Sequence, residues 1–111
     1  MAVEGERISK ALMSVEKPLL RGIIRFSVLL LLEGVGKYGY QIYRLIKSRL
    51  YNRLSLSTLY TILKELESHG IIERVGEMYV LTDMGVKVLE YLKSKYKDLT
   101  NYLKKVLTKT K

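Results

Sequence analysis

Apolar residues recur along this 111-residue chain at Leu59, Ile62, Leu63 and Leu66, the i, i+3, i+4, i+7 spacing that gathers side chains onto one side of an α-helix. Ser55 stands where a hydroxyl can cap the first turn, and Gly70 where the chain can leave through a left-handed conformation, so the pattern predicts a helix over 55–70 with its apolar side on a core. The other side carries Ser57, Thr58, Tyr60, Thr61, Lys64 and Ser68, with no acid before Glu65. Small hydroxyls and a cation on a solvent-facing helix suit a DNA groove.

After Gly70 the period changes. Ile71 to Val75 and Met78 to Thr82 read as two short strands joined by Gly76-Glu77, and glycine at the first central position fits a type II′ hairpin. Helix, glycine and hairpin in that order make a winged helix. Before it, Gly39 to Leu50 predicts a helix with Ile42, Leu45 and Ile46 inward and Gln41, Arg44, Lys47 and Ser48 outward; its N-terminus favours a phosphate. An extended connector at Tyr51 to Leu54 would then leave these two helices as a helix-turn-helix, the second of the pair lying in the groove.

The ends of the chain read differently. Met1 to Lys17 has weak helical spacing at Ile8, Leu12 and Val15 and is either a short leading helix or a flexible arm. Pro18 fits the first turn of a helix reaching Glu33, apolar nearly all round, which predicts cover from a second subunit. From Thr82 or Asp83 a last helix is expected to run to about Leu107. Its residues Leu89, Leu92, Tyr96, Leu99, Leu103 and Val106 are spaced as a heptad seam. Such a seam predicts a two-fold dimer, with Ile23, Phe26 and Leu30 of the first apolar helix joining the interface; the alternative is that the helix folds back on its own domain. The fold class is thus mainly α (α+β), a winged helix-turn-helix domain with a long C-terminal dimerisation helix. The divisions fall at 1–17 for the arm, 18–82 for the DNA-binding domain and 83–111 for the dimerisation helix and basic tail.

Charge sharpens this picture. The chain has a formal net charge of +9 and a pI near 9.8, which favours an anionic partner, nucleic acid before a membrane surface. Between Gly34 and Lys64 stand Lys37, Arg44, Lys47, Arg49, Arg53 and Lys64 without a single acid. From Glu65 to Glu90 acids dominate, and from Tyr91 onward lysines do, the latter reading as a solvated face. With no cysteine there is no disulfide, thiolate metal site or thiol nucleophile. No secretory signal and no apolar run of membrane-spanning length are seen, so the expected location is cytoplasmic, associated with the nucleoid. His69, the one histidine, belongs to the end of a helix, and Glu65 and Glu67 point in different directions; no enzyme, metal site or cofactor is expected.

Arg25 to Gly34, then Tyr38-Gly39-Tyr40-Gln41-Ile42, then Ser55 through Thr58-Leu59-Tyr60 to Ile72, then Tyr79-Val80-Leu81-Thr82-Asp83-Met84-Gly85, together resemble the PadR family of winged-helix transcriptional regulators. The likeness covers roughly Gly22 to Tyr91. It implies a homodimer joined through the C-terminal helix, binding a palindromic operator and usually repressing. It also implies that Tyr40 and Gln41 of the second helix and Ser55, Ser57, Thr58, Tyr60, Thr61 and Lys64 of the third face DNA. Two departures stand out: the wing carries Gly76-Glu77 where the family usually has Arg-Lys, and Tyr38 replaces the usual histidine before Gly-Tyr.

The expected DNA-facing set is therefore Lys37, Tyr40, Gln41, Arg44, Arg53, Ser55, Ser57, Thr58, Tyr60, Thr61, Lys64 and Arg74, the last the only base on the hairpin. The expected function is sequence-specific binding of double-stranded DNA by a transcriptional regulator, a repressor, with half-sites about 10 bp apart or a multiple of that. Two alternatives remain: an architectural protein with little sequence preference, and a winged helix used only to bind an acidic protein. A small-molecule effector at the apolar dimer interface is compatible with the sequence, and none is named by it.

Overall fold

Three local signals start the helices of the central domain, and each is visible in the computed structural model, which describes residues 2–108. The Ser55 hydroxyl accepts the backbone N–H of Thr58 at 3.1 Å, capping α3 (Leu56–Ser68); such a cap contributes about 1 kcal/mol. Thr82 caps α4 (Asp83–Lys95) in the same way through the N–H of Gly85 at 3.0 Å. At α2 (Gly39–Arg49) the Gln41 side-chain carbonyl reaches back to the N–H of Tyr38 at 2.8 Å.

In chain order the elements are α1 (Ala2–Leu31), β1 (Lys37–Tyr38), α2, α3, β2 (Ile72–Val75), β3 (Met78–Leu81), α4 and α5 (Lys97–Leu107). The strands form an antiparallel sheet in the order β1-β3-β2. The hairpin register pairs Ile72 with Leu81 and Val75 with Met78, as expected. Gly76 has φ 65° while Glu77 does not have positive φ, as a type II′ turn requires. β1 was not foreseen. Two residues long, it docks Lys37 opposite Tyr79 and Tyr38 opposite Met78, fixing the start of α2 to the wing.

The core lies where α1, α2, α3, α4 and α5 meet, with Val28, Ile42, Ile46, Leu59, Ile62 and Leu63 withdrawn from solvent. Full burial of each such side chain is worth roughly 1.5–3 kcal/mol. Gly85 explains the Leu-Thr-x-x-Gly pattern after the wing. A Cβ there would overlap the carbonyl oxygen of Ile71, the same oxygen that accepts the Thr82 N–H at 3.1 Å. Only glycine lets α4 start this close to the end of α3.

Three expectations need correction. Pro18 does not open a helix; it lies inside α1, which joins the predicted leading helix to the next one in a single 30-residue element. The connector Tyr51 to Leu54 is a turn, closed by Leu54 N–H on Tyr51 C=O at 3.2 Å, and Leu54 is buried. The long C-terminal helix is two helices. Tyr96, with φ −117° and ψ 63°, breaks it, and α5 turns back over α1 and α2.

That break divides the heptad seam and buries part of it within the chain. Leu89 is 1% exposed and Leu103 fully buried, so neither is available to a second copy; Phe26 is likewise part of the core. Leu92, Leu99 and Val106, with Ile23 and Leu30, are half-buried, and Tyr96 is exposed. The physical reason is a set of ties that a straight helix would lack. Arg49 Nη1 donates to the Leu107 carbonyl at 2.5 Å at the end of α5, and Glu33 receives both Lys93 from α4 and Lys104 from α5. Lys109 and Lys111 of the expected basic tail lie outside the described residues.

Candidate nucleic-acid interface

The outward side of α3 is built from its caps and its spacing. Ser57, Tyr60, Thr61 and Lys64 are exposed along it, while Thr58 is half-buried. Several hydroxyls are already engaged locally: Ser55 donates to Thr58 Oγ1 at 2.8 Å, and Thr61 to the Ser57 carbonyl at 2.9 Å. Their oxygens keep acceptor capacity toward solvent, but the face offers few long donors that could grip a base edge.

What fixes α3 against α2 is a close approach. A Cβ on Gly39 would stand 2.7 Å from the Tyr60 hydroxyl oxygen and 2.9 Å from its ring, so the absence of a side chain at the first residue of α2 makes the seat for Tyr60. The Gly-Tyr and Thr-Leu-Tyr motifs are therefore two halves of one joint. Tyr60 is partly held by packing and presents its hydroxyl beside the N-terminus of α2, where an anion is favoured. Tyr40, the next residue of α2, is exposed, its ring 5.7 Å from that of Tyr43.

The bases between Gly34 and Lys64 do not form one uniform face. Lys47 Nζ donates to Asn52 C=O at 2.7 Å and Leu54 C=O at 3.3 Å, tying down the turn before α3, and lies 5.9 Å from the Tyr43 ring centre. Arg49 closes α5. Arg44, Arg53 and Lys64 remain exposed, with Lys37 half-buried in β1. Arg74 is drawn over the Tyr79 ring at 5.6 Å and pairs with Glu67 at 3.7 Å, so the wing's only base leans onto the domain. Burial raises the Tyr79 phenol above its ordinary value, with Arg74 opposing the rise.

The sequence reading missed a neighbour of this surface. A cleft of about 270 Å³ beside the leading end of α3 is lined by Arg53, Ser55 and Thr58 and also by Lys17 and Arg21 of α1. The signal was present, since residues four apart share a helix face, but it needed the continuous α1 to be legible. Among the described residues no group of His, Asp or Glu is placed to hold a metal ion, and no helix is long and apolar enough to cross a membrane.

Comparison with known proteins follows the same lines. The transcriptional regulator PadR-like family matches residues 28–91, more than half of the chain. Among solved structures the chain is similar to Bacillus subtilis PadR, at 30% identity and TM-score 0.58 over 64% of this chain and 41% of that one, so it spans about two fifths of that protein's length. It also resembles a PadR family transcription regulator from Clostridium difficile, at 26% identity and TM-score 0.59, covering 76% of this chain and 97% of the other. A transcriptional regulator from Clostridium thermocellum aligns at 25% identity and TM-score 0.61, covering 79% and 93% of the two chains. A comparison with curated proteins gave no match. With the winged helix, the Tyr60–Gly39 joint and the family match in agreement, the chain belongs to the PadR-like family of transcriptional regulators, a family of regulators and not of enzymes.

Proposed function

We propose that this protein is a homodimeric repressor that binds a palindromic operator, with α3 in the major groove and 18–82 as the DNA-binding unit, working on nucleoid DNA in the cytoplasm. The observation that carries the reading is the outward face of α3, where Ser57, Tyr60, Thr61 and Lys64 are exposed together and the nearest acid, Glu65, is drawn aside into a pair with Arg25. Arg44, Arg53 and Lys37 flank that face and act on phosphates, which position the protein, while the hydroxyls and Lys64 touch base edges.

Self-association is supported by what remains apolar and uncovered. Half-buried Val88, Leu92 and Leu99 and exposed Tyr96 line a groove of about 310 Å³ above the buried Phe26, Leu29 and Leu66, and the exposed residues Ile8, Leu12, Val15 and Leu19 continue the Phe26 and Leu30 side of α1 at helical spacing. A second copy laid along this surface gives the two-fold arrangement that a palindrome requires. The interface then runs through α1, α4 and the start of α5, with Leu92, Tyr96 and Leu99 facing the partner. The same groove is where an effector would enter.

Binding of the purified protein to its own upstream region and to a shuffled duplex, across roughly 50 to 200 mM salt, tests this directly. A preference of about a thousandfold that survives the upper salt is expected, with Lys64→Ala and Arg44→Ala both weakening it. One observation favours a second reading. Arg74 leans on Tyr79 and the hydroxyls of α3 are locally bonded, which suits an architectural protein with little sequence preference; equal, salt-sensitive binding to both duplexes would establish it.

A further inference from the structure

α1 carries Arg7, Lys10, Lys17, Arg21 and Arg25. At 3.6 residues per turn these bases fall within a sector of about 80° around the helix, and the acids Glu4, Glu6 and Glu16 fall outside it. Of the exposed apolar residues, Ile8, Leu12, Val15 and Leu19 gather in a sector of about 60°, nearly opposite the bases, while Val3 and Met13 lie outside it. One helix thus has two separate working sides. The apolar side belongs to the self-association described above. The basic side has so far been given no task.

Where that basic side leads decides its partner. Its body-proximal members, Lys17 and Arg21, line the cleft that also holds Arg53, Ser55 and Thr58, the leading end of the helix assigned to the groove. Glu16 is the one acid on the cleft, set against three cations. Among the described residues no ion pair engages Lys17, Arg21 or Arg53, whereas Arg25, next along the stripe, is held by Glu65. From Arg21 back to Arg7 the stripe extends about 21 Å along the helix at 1.5 Å per residue.

We propose that the basic stripe of α1 is a second DNA-backbone contact: Lys17 and Arg21 join Arg53 in holding a phosphate beside the start of α3, and Lys10 and Arg7 follow the backbone outward from the half-site. The inference rests on the DNA-binding reading above and adds a partner surface to it. A basic helix with an opposite apolar side also fits an anionic membrane, but the stripe runs into the recognition helix, and its apolar side is continuous with the groove on the domain. DNA is the partner that both placements favour.

The experiment uses the full chain and measures affinity for an operator-length duplex over a range of salt. Lys17→Gln with Arg21→Gln is expected to lower the salt slope by about one and to weaken binding about tenfold near physiological salt, since each neutralised phosphate adds roughly 0.9 to the slope. The charge-preserving pair Lys17→Arg with Arg21→Lys keeps both, which separates loss of charge from loss of packing, and circular dichroism checks that all variants fold. Arg7→Gln with Lys10→Gln weakens binding on the long duplex and leaves a duplex trimmed to the half-sites unaffected. An unchanged slope in the Lys17 and Arg21 variant, with the wild type bound, overturns the inference. So does retention of the wild type on phosphatidylglycerol vesicles that these substitutions abolish while DNA affinity stays the same. A wild type that binds no duplex instead removes the DNA-binding reading itself.

Discussion

The two halves of α1 have opposite fates. Ile24 and Leu29 are 2% exposed, whereas Leu12 is 58% and Leu19 59% exposed on the same continuous helix. Helical spacing of apolar residues runs through both, and is weaker in the first. The difference is what lies alongside: α2, α3, α4 and α5 surround the second half, whereas residues 3–19 are all exposed. A helix can therefore be specified locally while its burial is left to whatever arrives next to it.

The comparison can be tested at three strengths. Leu29→Ala is expected to cost about 2–5 kcal/mol in urea unfolding, because it empties a well-packed site. A cost below about 1 kcal/mol would mean that the second half is no better covered than the first. Pro18 is next in size. Interior proline disfavours a helix by about 3 kcal/mol relative to alanine, so Pro18→Ala should slow amide hydrogen exchange in the first half while core amides are unchanged. Coupled slowing throughout would show the two halves to be one cooperative unit. The smallest effect on the monomer is expected from Leu12→Glu, within about 0.5 kcal/mol for an exposed site. If a second copy covers that side, the same change weakens self-association in sedimentation at low micromolar concentration; an unaltered distribution would leave the first half uncovered.

Much of the central domain was legible because its instructions are local. Ser55, the 59-62-63-66 spacing and Gly70 defined α3 to within a residue or two, and Gly76 with a short apolar run on each side defined the wing. Lys64, Tyr60 and Arg44 were read as exposed and are so. Other site residues depended on distant partners. That Lys47 would serve the connector, that Arg49 would close α5 and that Arg74 would lean on Tyr79 are contacts with acceptors and rings that spacing does not identify. β1 escaped for the same reason, since two residues have no period and become a strand only by pairing with β3.

The seam from Leu89 to Val106 marks the limit most clearly. The spacing fixed which residues are apolar on one side, and that holds in both α4 and α5. Whether Leu89 and Leu103 on that side meet a second copy or the chain's own core is a choice between two burials. It was decided by Tyr96, where the helix breaks, and by Glu33 and Arg49, which hold the returning segment. Sequence determined α2, α3, the start of α4, the wing and the sign of the charged face, because those follow from backbone geometry and near neighbours. Tertiary structure alone decided which apolar sides were covered and which bases remained for a ligand, because burial and ion pairing depend on residues far apart in the chain.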